Sequence, residues 1–151
     1  MFNDVIVFNR AKAKKYSYLK NNKSSILISI SDIDKENPIF NRSPDNGIKA
    51  VLKVSFKDTD DKDTSISPET AKRIVNFVKL YANCVDIIVV HCEAGQSRSA
   101  GCAAAILKYY FNDDSKIFDD PKYKPNMFVF RNVLNEFIEQ EYGEKVWLMK
   151  F

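Results

Sequence analysis

The chain has 151 residues, 45% apolar and 13% aromatic, and its 23 Lys/Arg against 20 Asp/Glu leave a formal net charge of +3. This length and composition fit one globular domain over residues 1–151 able to bury its own core. So small and mixed a charge argues against nucleic acid as a partner, and no apolar run nears the roughly 18 residues of a membrane span.

The opening residues, Met1-Phe2-Asn3-Asp4-Val5, lack the basic start and long apolar stretch of a secretory leader. The short apolar run 4–8 predicts a first strand. Residues 10–20 are basic, with Ala11, Ala13, Tyr16 and Leu19 near helical spacing, and predict a helix whose lysines read as a solvated face. Ile26, Ile28 and Ile30 alternate in the period of a strand over 25–31. Residues 32–47, with Pro38, Pro44 and Asp45-Asn46-Gly47, carry turn chemistry; such a long connection is either a wall of a cleft or surface decoration.

A third strand is predicted over 48–56, then an acidic segment, 57–67, holding Asp58, Asp60, Asp61 and Asp63. Ser67-Pro68 is a helix start, a serine cap followed by proline at the first helical position. Ala71, Ile74, Val75, Phe77, Val78 and Tyr81 then form a stripe that must face a core. Residues 86–90 predict a buried strand and 100–107 an alanine-rich helix. Residues 112–125 read as loop. Asn126 caps a last helix bearing Phe130, Val133, Leu134, Phe137 and Ile138, expected to end at Gly143, with 146–148 returning to the core as a short terminal element. The fold class that follows is α/β: a central, mostly parallel sheet of four to five strands flanked by helices.

Between the strand at 86–90 and the helix from residue 100 lies His91-Cys92-Glu93-Ala94-Gly95-Gln96-Ser97-Arg98-Ser99. A loop feeding a helix start presents N–H groups in one direction, and the helix dipole adds positive potential. That suits a phosphate-like dianion, bound by the amides of Glu93, Ala94, Gly95, Gln96, Ser97 and Arg98. Cys92 in this field is expected to be largely thiolate, and the planar fork of Arg98 can hold two oxygens at once. Cys84 and Cys102 read as small core hydrophobes. Three cysteines without framework spacing suit a reducing compartment, and the expected location is the cytoplasm.

His91, Cys92, Gly95, Arg98 and Ser99 resemble the signature of the cysteine-based tyrosine and dual-specificity phosphatases. The resemblance implies hydrolysis of a phosphomonoester through a phosphocysteine, with Cys92 as nucleophile, Arg98 on the phosphate, and Ser99 donating to the sulfur; a helix cap is the plainer role for Ser99. It implies no metal or other cofactor. It also implies a general acid, an aspartate a few tens of residues before the cysteine. Anchoring on the strand selects Asp58, and anchoring on the following helix selects Asp60. His91 is expected to bond backbone around the loop. In some relatives a disulfide to a nearby cysteine protects the nucleophile, an option that Cys102 leaves open.

The short chain shows no phosphotyrosine-recognition segment of the larger tyrosine-specific enzymes. The implied substrate is a phosphorylated protein or peptide carrying phosphotyrosine and also phosphoserine or phosphothreonine. Glu93 and Gln96 stand where relatives acting on phosphoinositides carry lysines. Two alternatives remain at this point: another phosphohydrolase of the superfamily, acting on RNA 5′-triphosphates or small esters, and a catalytically idle phosphate-binding module.

Overall fold

The computed structural model describes residues 1–149. In chain order the elements are β1 (Asp4–Phe8), α1 (Arg10–Ser17), β2 (Ser25–Ser31), a 3-10 turn (Pro44–Asn46), β3 (Ile48–Ser55), α2 (Pro68–Tyr81), β4 (Ile87–His91), α3 (Arg98–Phe111), α4 (Ser115–Phe118) and α5 (Met127–Met149). The four strands form one sheet in the order β1-β4-β2-β3, and every pair is parallel. All strands therefore end at the same edge, the edge from which the Cys92 loop leaves β4.

The alternation of side chains along the strands sorts them onto two faces. Ile26, Ile28 and Ile30 of β2 and Ile88 and Val90 of β4 join the main core with α2, α3 and α5. Leu27 and Val89 point the other way, against Ala13 of α1 and Phe40. Because β2 is covered on both faces, all seven of its residues are buried, the serines at 25, 29 and 31 included. The alanines and Gly101 of α3 keep that helix thin enough to be buried along most of its length.

Helix α1 ends at Ser17, three residues short of the predicted end, where the Ser17 hydroxyl donates to the Lys14 carbonyl and Leu19 stays half exposed. Within the predicted 112–125 loop, Ser115–Phe118 makes one helical turn that buries Ile117. The largest correction is at the end of the chain. Helix α5 runs through Gly143, and Trp147 and Leu148 continue it with exposed side chains instead of returning to the core. A glycine stops a helix by taking a left-handed conformation, and Gly143 does not take one; the Glu141–Lys145 ion pair, 3.1 Å, spans it as an i,i+4 pair. Cys84, expected in the core, is exposed in the turn after α2, while Cys102 is fully buried. Among the described residues no helix is long and apolar enough to cross a membrane.

Candidate active site

Residues 92–98 turn sharply between β4 and α3, and the backbone carbonyls of this loop are held from outside. His91 Nδ1 lies 3.0 Å from the Cys92 carbonyl, and the N–H of Arg10 donates to Glu93. The N–H of Lys124 donates to Gln96, and those of Gly101 and Asn126 donate to Ser97. Among the described residues the N–H groups of Glu93 to Arg98 reach no protein acceptor. With four of its carbonyls engaged and its amides without a protein partner, the loop offers a run of free donors, the arrangement that binds an anion.

Gly95 makes this turn possible. Its φ is +68°, and a Cβ there would meet the backbone N of Asn9 at 2.7 Å. Gly101 plays a matching part on the far side, where a Cβ would come within 2.5 Å of the Asn126 carbonyl oxygen. The segment 124–126 can therefore lie flat against the start of α3.

Cys92 sits at the floor of the loop, 2% exposed, with its Sγ 3.0 Å from the hydroxyl of the buried Ser99. Ser99 lies inside the first turn of α3, and Ser97 holds the cap position without a capping side-chain bond. The cap role considered for Ser99 is therefore not the one it takes. His91 is fully buried. Its Nδ1 faces a carbonyl and must donate, so Nε2 accepts from the Ser29 hydroxyl at 2.6 Å. Ser29 in turn accepts from the Asn37 amide at 3.1 Å. Burial, opposed by the bond to Cys92, holds the imidazole below its ordinary pKa, with the positive Arg10 and Arg98 adding to the effect.

Arg98 is 5% exposed. Its Nη1 donates to Asp32 at 2.6 Å and to the Phe56 carbonyl at 2.8 Å, whereas the enclosed Nε has no partner among the described residues. One corner of the fork is thus anchored, leaving the Nε edge for a ligand. Asp32, at the carboxyl end of β2, was not singled out by the sequence, because the pairing joins residues 66 apart. Beside it, Lys35 pairs with Glu93 at 3.2 Å. The 32–40 segment is thereby tied to the Cys92 loop and borders it.

The two aspartates considered as acids separate clearly. Asp58 Oδ1 accepts from Ser97 Oγ at 2.7 Å and from Asn126 Nδ2 at 2.9 Å, so this carboxyl group rests on the loop rim. Asp60 is exposed and makes no bond to the loop, and Asp61 folds back onto its own turn. Burial pushes the Cys102 thiol up to about 12, with neighbouring Cys92 adding to the shift. Such a thiol stays protonated and inert. Among the described residues no three His, Cys, Asp or Glu side chains are grouped to hold a metal ion.

A donor-lined loop carrying a cysteine and an arginine, set between the carboxyl end of a parallel strand and a buried helix, defines the class: the cysteine-based protein tyrosine phosphatase superfamily, of dual-specificity type. The family model described as the Rit1 DUSP-like domain matches residues 52–142, and the chain belongs to that family. The structure is similar to DUSP15, with 19% identity, a TM-score of 0.64, and 97% of this chain and 92% of that one covered. It is also similar to the human tyrosine phosphatase-like serine/threonine/tyrosine-interacting protein, at 18% identity and TM-score 0.63, covering 95% and 93%. A third is PTPMT1 in complex with PI(5)P, at 18% identity and TM-score 0.56, covering 90% and 91%. Among curated proteins nothing matches the chain.

Proposed function

We propose that residues 1–151 act as one cytoplasmic catalytic domain, a protein phosphatase that hydrolyses phosphotyrosine, and also phosphoserine or phosphothreonine, on protein or peptide substrates. The observation that carries this reading is the unbroken run of amides from Glu93 to Arg98 without a protein acceptor, in the loop that begins at the buried Cys92 sulfur. Such preorganised donors stabilise the charge that spreads over the equatorial oxygens as the phosphoryl group transfers. The Nε edge of Arg98 adds a positive charge already held in place by Asp32.

In the first step Cys92 attacks as thiolate. The S–P bond forms, the P–O bond to the leaving group breaks, and the leaving oxygen takes a proton from Asp58. Asp58 suits this role because both of its hydrogen bonds fall on Oδ1, which leaves Oδ2 to carry the proton. In the second step water attacks phosphorus and gives its proton back to Asp58. The S–P bond breaks, and the Ser99 hydroxyl donates to the departing sulfur. The sulfur is itself the nucleophile, so the sequence of steps calls on no metal or cofactor.

The test is a panel of nitrophenyl phosphate, a phosphotyrosine peptide, a phosphoserine peptide, a phosphoinositide and a 5′-triphosphate RNA, run on wild type and Cys92→Ser. The expected result is a burst of one nitrophenol per site, lost in Cys92→Ser, and the highest kcat/KM on the phosphotyrosine peptide. Preferred turnover of the lipid or the RNA overturns the substrate assignment. Vanadate binding without turnover identifies a phosphate-binding module instead.

A further inference from the structure

Helices α1 and α3 follow the neighbouring strands β1 and β4 but lie on opposite faces of the sheet. The chain therefore splits at the carboxyl ends of these two strands, the crevice where open α/β sheets hold ligands. A cavity of about 150 Å³ lies there, lined by Asn9, Lys12, Gln96, Lys122 and Tyr123, with Gly95 of the phosphate loop in its wall. We propose that this cavity is a second anion subsite of the active site, which takes a carboxylate or phosphate on a residue flanking the phosphorylated residue of a peptide substrate. This rests on the phosphopeptide phosphatase reading above.

The charges around the cavity are uneven. Helix α1 reads Arg10-Ala11-Lys12-Ala13-Lys14-Lys15-Tyr16-Ser17, without an acidic residue. Lys12 has no carboxylate partner among the described residues. Lys122 has only Asp120, at 3.7 Å, and its ammonium lies 4.9 Å from the Tyr123 ring centre. Two lysines thus line one small cavity, together with Asn9 and Gln96, whose side chains carry further donors. The cavity is fixed to the reacting centre on both sides. Arg10 donates to the Glu93 carbonyl at 3.1 Å, and Lys124 donates to the Gln96 carbonyl at 2.8 Å. The sequence alone makes the α1 lysines a solvated face; the β1/β4 split turns Lys12 to the lip of the loop.

The occupant is a local anion on a peptide and not a long polyanion. Beyond the Arg98-paired Asp32 and the rim-bound Asp58, Asp34 and Glu36 follow on one flank and Asp60 and Asp61 on another. A nucleic-acid backbone laid across the site would meet these carboxylates. A peptide can place one anion in the cavity and stay neutral elsewhere.

The test uses one phosphotyrosine peptide with three flanks: neutral, acidic (Asp or Glu), and phosphoserine. Its kcat/KM is measured on wild type, on Lys12→Ala/Lys122→Ala, and on the control Lys14→Ala/Lys15→Ala. Affinity for the same peptides is measured on Cys92→Ser. Both anionic flanks are expected to win about tenfold over the neutral flank, mainly through KM, as a charged hydrogen bond at a partly exposed site allows. The Lys12/Lys122 pair of substitutions removes the advantage, the control keeps it, and the ratio of acidic to phosphoserine flank tells carboxylate from phosphate. An absent preference in wild type overturns the proposal. So does one that survives loss of both lysines, or a lysine-dependent preference for a 5′-phosphorylated oligonucleotide over the anionic peptides. If wild type turns over none of these phosphates, the phosphatase reading fails separately, and the affinities on Cys92→Ser still decide the subsite.

Discussion

At the scale of single residues, the proposed mechanism turns on the position of one carboxyl group, the one assigned to protonate the leaving oxygen. Asp58 and Asp60 are two residues apart, yet only Asp58 touches the loop, through Ser97 and Asn126. Asp58→Ala is therefore expected to lower kcat by about 10²–10³ on a phosphopeptide, whose leaving group needs the proton, and far less on an activated aryl phosphate. Asp60→Ala leaves both rates near wild type. The ratio of the two kcat values in each variant is the measurement, and the reverse pattern moves the acid to Asp60. The sequence carried both candidates because anchoring on the strand and on the helix gave different answers across a loop of free length. The loop from Cys92 to Ser99 was legible because its chemistry is contiguous. Asp32 was not: it meets Arg98 only because β2 lies beside β4, a neighbour relation that no local spacing encodes.

At the scale of elements, two glycines within helices make opposite demands. In α5, a Cβ on Gly143 would meet nothing within 4 Å. Gly143→Ala is expected to stabilise the fold by about 0.5–1 kcal/mol, the helix-propensity difference. In α3, Gly101→Ala gains the same propensity but drives a Cβ into the Asn126 carbonyl. Overpacking costs of ~1–3 kcal/mol exceed that gain, so it is expected to destabilise. It also shifts the residue that holds Asp58, so the kcat on a phosphopeptide falls with the stability. Urea midpoints of the two variants, moving in opposite directions, check this. The same pair explains where element ends were misread. Gly143 looked like a stop because a glycine after an apolar stripe so often is one. The residues that carry α5 onward, Lys145 on Glu141 and Glu144 on Lys79, form pairs that composition alone does not locate. The serine cap, proline start and apolar stripe of α2 were legible because each acts within one or two turns.

At the scale of the whole molecule, the Cys92 loop is held by a polar relay through the sheet. His91 on β4 leans on Ser29 of β2, which Asn37 holds from the following segment, and the Phe40 ring meets the imidazole edge-on at 5.7 Å. The relay fits a neutral imidazole: Nδ1 donates to the Cys92 carbonyl and Nε2 accepts from Ser29. A second proton on Nε2 would face a hydroxyl that could no longer donate to it, and would place a buried charge near Arg10 and Arg98. The folded chain therefore binds that proton more weakly than the unfolded chain, whose histidine titrates near 6.5. The contribution to stability is complete above that pH and is lost as the pH falls below it, with a limiting slope of about 1.4 kcal/mol per pH unit. Most carboxylates titrate nearer pH 4, so once the loop thiol is removed by Cys92→Ser the window from pH 7 to about 5.5 isolates the histidine. The urea midpoint of Cys92→Ser is expected to fall across that window, and that of Cys92→Ser/His91→Asn, which cannot take up the proton, to start lower and stay nearly flat. Parallel declines in the two proteins would assign the pH dependence elsewhere and leave His91 as packing alone.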